Sequence, residues 1–257
     1  MWMALLAAAR LTVLAFLALP AAAVAGEPCR EDAFEGARYT ICSFDPADAD
    51  MRMFWRDSEG QPFRAFPALV AELAEEGLTL VFAMNGGMYD TDLSPLGLYI
   101  EKGVEHSGTN TAEVDARPVP NFYKKPNGIF MIAGDRAAII ETEAYLRKRP
   151  AVDFATQSGP LLVIGGALHS AFIPDSNDLN RRDGVGIDDA GMVHFAISED
   201  PVNFHTFARF FRDFLGTDDA LFFDGGSAPG LYSPDLSRSD WPGHGGYGPI
   251  VGVVVPK

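Results

Sequence analysis

The sequence predicts a single α+β domain, rich in strands, with a mixed sheet and a few packed helices. Short apolar runs punctuated by turn residues extend through the chain with no long linker, repeat or low-complexity tract. Strand candidates outnumber helix candidates and do not alternate regularly with them, which argues against a doubly wound α/β fold. With 257 residues and 47% hydrophobic content, the chain can fill one substantial core.

Taken in order, the first element is a leader. Leu11 to Leu19 is apolar except for Thr12, with Arg10 before it and Pro20 and Ala23-Val24-Ala25 after it. This pattern reads as a secretory signal cleaved after Ala25, leaving residues 26–257 as the domain of a periplasmic or secreted protein with no membrane span. Export agrees with the two cysteines: in an oxidising compartment Cys29 and Cys42 pair, fixing the first strand with a short loop worth roughly 3 kcal/mol. Strands are expected over 38–44, 52–55, 78–84, 97–101, 128–132, 137–140, 161–164, 192–197, 221–223 and 250–254. Turn chemistry places hairpins at Glu101-Lys102-Gly103 and at Asp188 to Gly191. One helix is expected from Phe66 to Glu76, with Leu69, Val70 and Leu73 on one face and Gly77 as its stop. A second is expected to start with Asp200 as cap and Pro201 in its first turn. Phe204, Phe207, Ala208, Phe211, Phe214 and Leu215 then recur at helical spacing up to Gly216.

The net charge is -15, and one unit more negative without Arg10. Phosphate backbones are repelled by such a field, so nucleic acid is excluded as a partner. A small phosphate group is not, because one positioned arginine with backbone amides can hold it locally.

Four strand junctions carry polar side chains beside glycines. The run Ala220-Leu221-Phe222-Phe223 ends in Asp224-Gly225-Gly226-Ser227, and Leu78 to Met84 ends in Asn85-Gly86-Gly87-Met88-Tyr89. Gln157-Ser158-Gly159-Pro160 precedes Leu161 to Ile164, and Arg182-Asp183-Gly184-Val185-Gly186 leads into Ile187. Each alone is an ordinary turn. Four in one domain can bring hydroxyls, amides, a carboxylate and an arginine around a common cleft.

These motifs, with Pro95-Leu96-Gly97-Leu98-Tyr99, Asn121-Phe122 and Pro126-Asn127-Gly128, resemble the ordered motifs of the phosphodiester glycosidase family, in a bacterial exported branch. The resemblance spans roughly Tyr39 to Val254. It implies hydrolysis of a sugar 1-phosphodiester at the anomeric carbon, with a carbohydrate or sugar phosphate as substrate. Phosphate leaves readily without much acid help, so one carboxylate at the oxocarbenium-like centre and a cation with amides at the phosphate could suffice. On this basis Asp224 is the candidate nucleophile or general base, Arg182 the candidate phosphate ligand, and Glu101 a candidate second carboxylate. Asn85, Gly86, Gly87, Tyr89, Asn127, Gln157, Ser158, Gly159, Gly225, Gly226 and Ser227 are the candidate substrate-binding residues. A non-catalytic exported module holding a phosphoglycan in the same cleft is the alternative.

Other patterns carry no such chemistry. Gly243-His244-Gly245-Gly246-Tyr247-Gly248 matches the dinucleotide pattern by letter, but too little chain follows to complete a βαβ unit, so it is a loop. Gly225 to Gly230 lacks nucleophile-elbow spacing. The five histidines show no paired zinc spacing, and Asp175 to Asn180 lacks the glycine of a calcium loop. No metal or other cofactor is called for.

Overall fold

The computed structural model describes residues 27–257, and the signal expected over residues 1–25 lies outside them. Three sheets form the domain. The largest runs edge to edge as β1 (Cys29–Phe34), β2 (Ala37–Phe44), β13 (Val193–Ser198), β12 (Arg182–Asp188), β14 (Thr217–Gly225), β10 (Leu161–Ile164) and β11 (Ala167–Leu168). A second runs β16 (Arg238–Ser239), β15 (Leu231–Ser233), β4 (Leu78–Asn85), β17 (Ile250–Pro256) and β3 (Asp50–Phe54). The third runs β6 (Val104–Ser107), β5 (Tyr99–Glu101), β9 (Phe154–Ser158), β7 (Gly128–Ala133) and β8 (Arg136–Glu141).

The strand-rich α+β class is as the sequence predicts, but the mixed sheet is not. Every pairing among the described strands is antiparallel. Parallel neighbours need long crossovers, and here tight turns join β5 to β6 and β12 to β13. Lys102 and Gly103 take the positive φ angles, 51° and 76°, that a two-residue hairpin turn of this hand requires. Cys29 and Cys42 sit opposite each other in the β1–β2 pair and are bridged.

The inner face of the large sheet supplies Cys42, Val185, Phe195, Ile197, Leu221 and Phe223 to a core shared with Phe82, Met84, Val251 and Phe130 of the other sheets. Its outer face buries Tyr39, Ile41, Ala196, Ala220 and Phe222 under Phe204, Phe207, Phe210 and Phe211. Those phenylalanines belong to α3 (Phe204–Arg209) and the π-helical turn that continues it over Phe210–Phe214. Asn203, not Asp200, caps this helix, its side chain accepting from Thr206 N. Asp200 is committed to Arg38 instead, and Val202 is held in a bridge to Asn180 that delays helix onset. The earlier helix, α1 (Phe66–Glu75), packs Phe66, Leu69 and Leu73 on the second sheet and stops before Gly77 at φ 75°. The remaining helix, α2 (Thr142–Lys148), covers the third sheet with Tyr145. Among the described residues no helix is long and apolar enough to cross a membrane.

Candidate active site

The site is set by a register shift. Across the β12–β14 pair, Asp183 faces Asp224 and Gly184 faces Phe222, so Phe223 is an extra residue on β14. Partners opposite each other share a sheet face. Without the bulge, simple alternation would put Asp224 with Phe222 on the outer, helix-covered face. With it, Asp224 joins Asp183 on the inner face. Bulges commonly re-aim a side chain in this way beside functional sites.

The two carboxyls differ in environment. Asp183 is fully buried, and its Oδ1 accepts from the backbone N of Asp224 at 2.8 Å. Burial, then the charge of Asp224, pushes its pKa well above the usual carboxylate range. Asp224 is packed round by protein but keeps a partly exposed edge. Burial raises its pKa to about 7, opposed by the hydrogen bond that Gly225 N donates to its Oδ1 at 2.7 Å. A fully buried carboxyl with its pKa pushed well up therefore stands behind a partly exposed one with its pKa pushed up to about 7, and two carboxyls in such different settings are typical of acid–base sites.

Around this pair the ends of other strands converge. Asn85, fully buried at the end of β4, accepts through Oδ1 from Gly230 N at 3.2 Å, while its amide lies beside Asp183 and favours the charged carboxylate there. Neither Asn85 Nδ2 nor Asp183 Oδ2 has a hydrogen-bond partner. The amide and the carboxyl lie side by side as donor and acceptor, so each supplies part of what the other lacks. Tyr89 is half-buried; burial and then the charges of Asp224 and Asp183 raise its pKa. Its hydroxyl lies 2.8 Å from His244 Nε2, and the two rings stack. Tyr247 is fully buried against Gly230, where an added Cβ would stand 1.9 Å from the phenol oxygen, so glycine is obligatory there.

The cation beside this cluster is Arg181. Its charge opposes the rise in the Asp183 pKa, and its guanidinium pairs with Glu199 at 3.4 Å. Glu199 in turn binds Thr40 and Arg238, and Arg238 binds Asp240, giving a half-buried network of two arginines and two carboxylates at the site's flank.

Arg182 lies elsewhere. Strand alternation sends it to the outer face, where it is 1% exposed. It donates to the carbonyls of Val202 and Asp178, and its guanidinium carbon sits 3.7 Å from the centroid of Phe204. Burial lowers its pKa to about 10. The phosphate-binding role expected of Arg182 therefore has no geometric support; neighbouring Arg181 is the arginine on the carboxylate side. Glu101 also lies outside the cluster. It accepts from Tyr99 Oη at 2.8 Å and lines a surface concavity with Arg52 and Arg56, and burial raises its pKa.

The candidate binders divide in two. Asn85, Tyr89, Gly225, Gly226 and Ser227 gather at Asp224. Asn127, Gln157, Ser158 and Gly159 form a buried seam whose bonds are internal. Gln157 is spent on Leu98, Asn110 and Thr142, Ser158 on the Phe223 carbonyl and Asn127 on the Phe122 carbonyl. Gly86, Gly87 and Gly159 serve packing: added Cβ atoms would stand 2.9 Å from Val251 N, 2.8 Å from Thr156 Oγ1 and 2.5 Å from Asn127 Cβ.

Residues 79–248 match the family described as phosphodiester glycosidase. The curated protein YigE of Escherichia coli K12, described as uncharacterized, is 33% identical over 214 residues, covering 82% of this chain and 81% of its own. The chain belongs to the phosphodiester glycosidase family.

Solved structures share its fold. The catalytic domain of zebrafish N-acetylglucosamine-1-phosphodiester alpha-N-acetylglucosaminidase, described as auto-inhibited by its pro-peptide, superposes with a TM-score of 0.60 at 15% identity, covering 88% of this chain and 81% of that one. A hypothetical protein from Synechocystis gives 0.57 at 13% identity, over 88% and 61%. A putative exported protein from Burkholderia pseudomallei gives 0.52 at 11%, over 84% and 74%. Within this phosphodiester glycosidase domain, Asp183, Arg181, His244 and Tyr247 join the candidate site only through the fold, with no local signal in the sequence. Asp183 and Arg181 flank Arg182 in sequence, and only the side to which the strand turns separates them from it.

Proposed function

We propose that this phosphodiester glycosidase is an exported hydrolase that cleaves a sugar 1-phosphodiester between the anomeric carbon and its oxygen. Asp224 is its general base. The reading rests on the Asp183–Asp224 pair, which the bulge in β14 turns to one face beside the Asn85 amide. Family membership supports the reaction class, and the expected signal, outside the described residues, motivates the exported location.

In this scheme the phosphodiester lies with its phosphate toward Arg181 and its anomeric carbon toward Asp224. The C1–O bond breaks and its electron pair leaves with the phosphomonoester. Water supplies the oxygen that bonds C1, and Asp224 takes the water's proton. A base works best with a pKa near the working pH, which Asp224 meets, whereas a nucleophilic carboxylate is usually held ionised in a polar setting. Asp183 is a positioning residue: its carboxyl oxygen accepts from the Asp224 amide and fixes the bulge.

Purified protein lacking the signal, incubated with a panel of sugar 1-phosphodiesters including the α-N-acetylglucosaminyl methyl phosphate, tests this by phosphorus NMR. The expected result is conversion of one diester to a phosphomonoester by wild type and loss of at least 10²-fold in Asp224→Asn. Wild-type turnover in that variant removes Asp224 from the chemistry, and saturable binding without product would favour a binding module.

A further inference from the structure

The loop from Asp240 to Gly248, which ends in the glycine-rich run Gly243 to Gly248, wraps Tyr89. A Cβ on Gly248 would stand 2.5 Å from Tyr89 Cβ. Four residues earlier His244 stacks on the Tyr89 ring, at 5.9 Å between centroids and 9° between planes. Gly243 lies against Ser227 of the Asp-Gly-Gly-Ser turn, with an added Cβ at 3.3 Å from Ser227 Cβ. The start of the loop is also fixed, since Asp240 accepts from Leu231 N and from Arg238 and its carbonyl accepts from Tyr247 Oη.

Between these fixed points stands Trp241, 75% exposed. The other tryptophan of the described residues, Trp55, is 9% exposed and donates its Nε1–H to the Leu93 carbonyl at 2.8 Å. Two residues of chain span at most about 7 Å, so the Trp241 backbone lies within that distance of Gly243, the residue that meets Ser227 of the Asp-Gly-Gly-Ser turn. A large rigid apolar plate held in water on a loop that packs against the site has much to gain by being covered. A pyranose ring suits it: one face is a sheet of C–H groups that can cover the indole, and the rim is polar, as is the Tyr89–His244 pair held by the same loop.

We propose that Trp241 is a sugar-stacking subsite that seats the pyranose ring of the phosphodiester substrate. The proposal rests on the hydrolase reading above and adds the determinant that recognises the sugar. Trp241→Ala should raise KM for the α-N-acetylglucosaminyl methyl phosphate by about 10- to 100-fold while kcat stays within about threefold, the signature of lost ground-state binding. Trp241→Phe keeps an aromatic plate and should return KM to within about threefold to fivefold of wild type. Titrating the same diester into Asp224→Asn protein, which keeps substrate intact, should change tryptophan emission saturably, and the change should vanish when Trp241→Ala is added. An unchanged KM in Trp241→Ala, or emission that does not respond at saturating diester, overturns the subsite. The hydrolase reading fails separately: no turnover by wild type, with a Trp241-dependent emission change on adding the diester, removes the reaction and leaves the subsite standing.

Discussion

Replacing Asp224 with Asn should make the protein more stable as well as inactive, and only at high pH. The folded-state pKa of Asp224 is about 7 against an ordinary 3.8, because the carboxyl is desolvated. Between those values the folded protein holds a proton that the unfolded chain releases. The stability this contributes is complete below pH 3.8 and is lost as pH rises through about 7. Each tenfold change in proton affinity is about 1.36 kcal/mol, so ionised Asp224 costs the fold at most about 4 kcal/mol above pH 7 and under about 2 kcal/mol at pH 5. Solvent screening at its exposed edge reduces the first figure to about 2–3 kcal/mol. An amide of the same shape can still accept from Gly225 N and carries no charge to desolvate. Urea unfolding should therefore show Asp224→Asn more stable than wild type by about 2–3 kcal/mol at pH 8 and by less than about 1 kcal/mol at pH 5. Equal stability at pH 8, or a gain that does not change with pH, refutes the claim that Asp224 is held as a strained, desolvated base.

Activity should fall as pH drops through about 7, since the base is then protonated; a kcat/KM profile flat from pH 5 to 8 would contradict this. Arg181→Met should raise KM for a phosphodiester by about 10- to 100-fold, the worth of one charge-assisted contact, with little loss of stability. Arg182→Met should instead unfold about 2–3 kcal/mol more easily, because the carbonyls of Asp178 and Val202 lose a donor; a stable Arg182→Met protein with lost substrate binding would restore that arginine to the site. Proton NMR of the sugar as it first forms should show the anomeric configuration inverted, because the base delivers water in one displacement.

The sequence exposes this fold where local chemistry is decisive. Leu78 to Met84 and Ile250 to Val254 are long apolar runs, and each lies within a strand of the structure. Gly77 and the Lys102-Gly103 pair stand where positive φ is required. The helix start after Asp200 was misplaced because Asp200 and Pro201 satisfy every local rule for a cap, while the Asn180–Val202 bridge and the Arg38 partner are long-range. Two strands of the core, Phe154–Ser158 and Arg182–Asp188, were missed or seen only in part, since Gln157, Arg182 and Asp183 look like surface residues until their buried partners are known.

The site was legible to the same extent. Asp224, Asn85 and Tyr89 announce themselves as polar residues at the ends of apolar strands. Arg182 is separated from Asp224 by a single step of alternation: neighbouring strand residues face opposite ways, and nothing local in Arg181-Arg182-Asp183 says which of them turns inward. The bulge that aims Asp224 is equally invisible, because it is a property of how β12 and β14 pair. His244 and Tyr247 sit in a loop whose letters suggested only a dinucleotide pattern, and their approach to Tyr89 comes from the far end of the chain.

Which bond breaks is the central claim, and hydrolysis in water enriched in oxygen-18 tests it most directly. Cleavage at the anomeric carbon leaves the released phosphomonoester free of label, with an unshifted phosphorus resonance. Label on the phosphomonoester, seen as an isotope-shifted resonance, would place the attack at phosphorus and contradict the role given to Asp224.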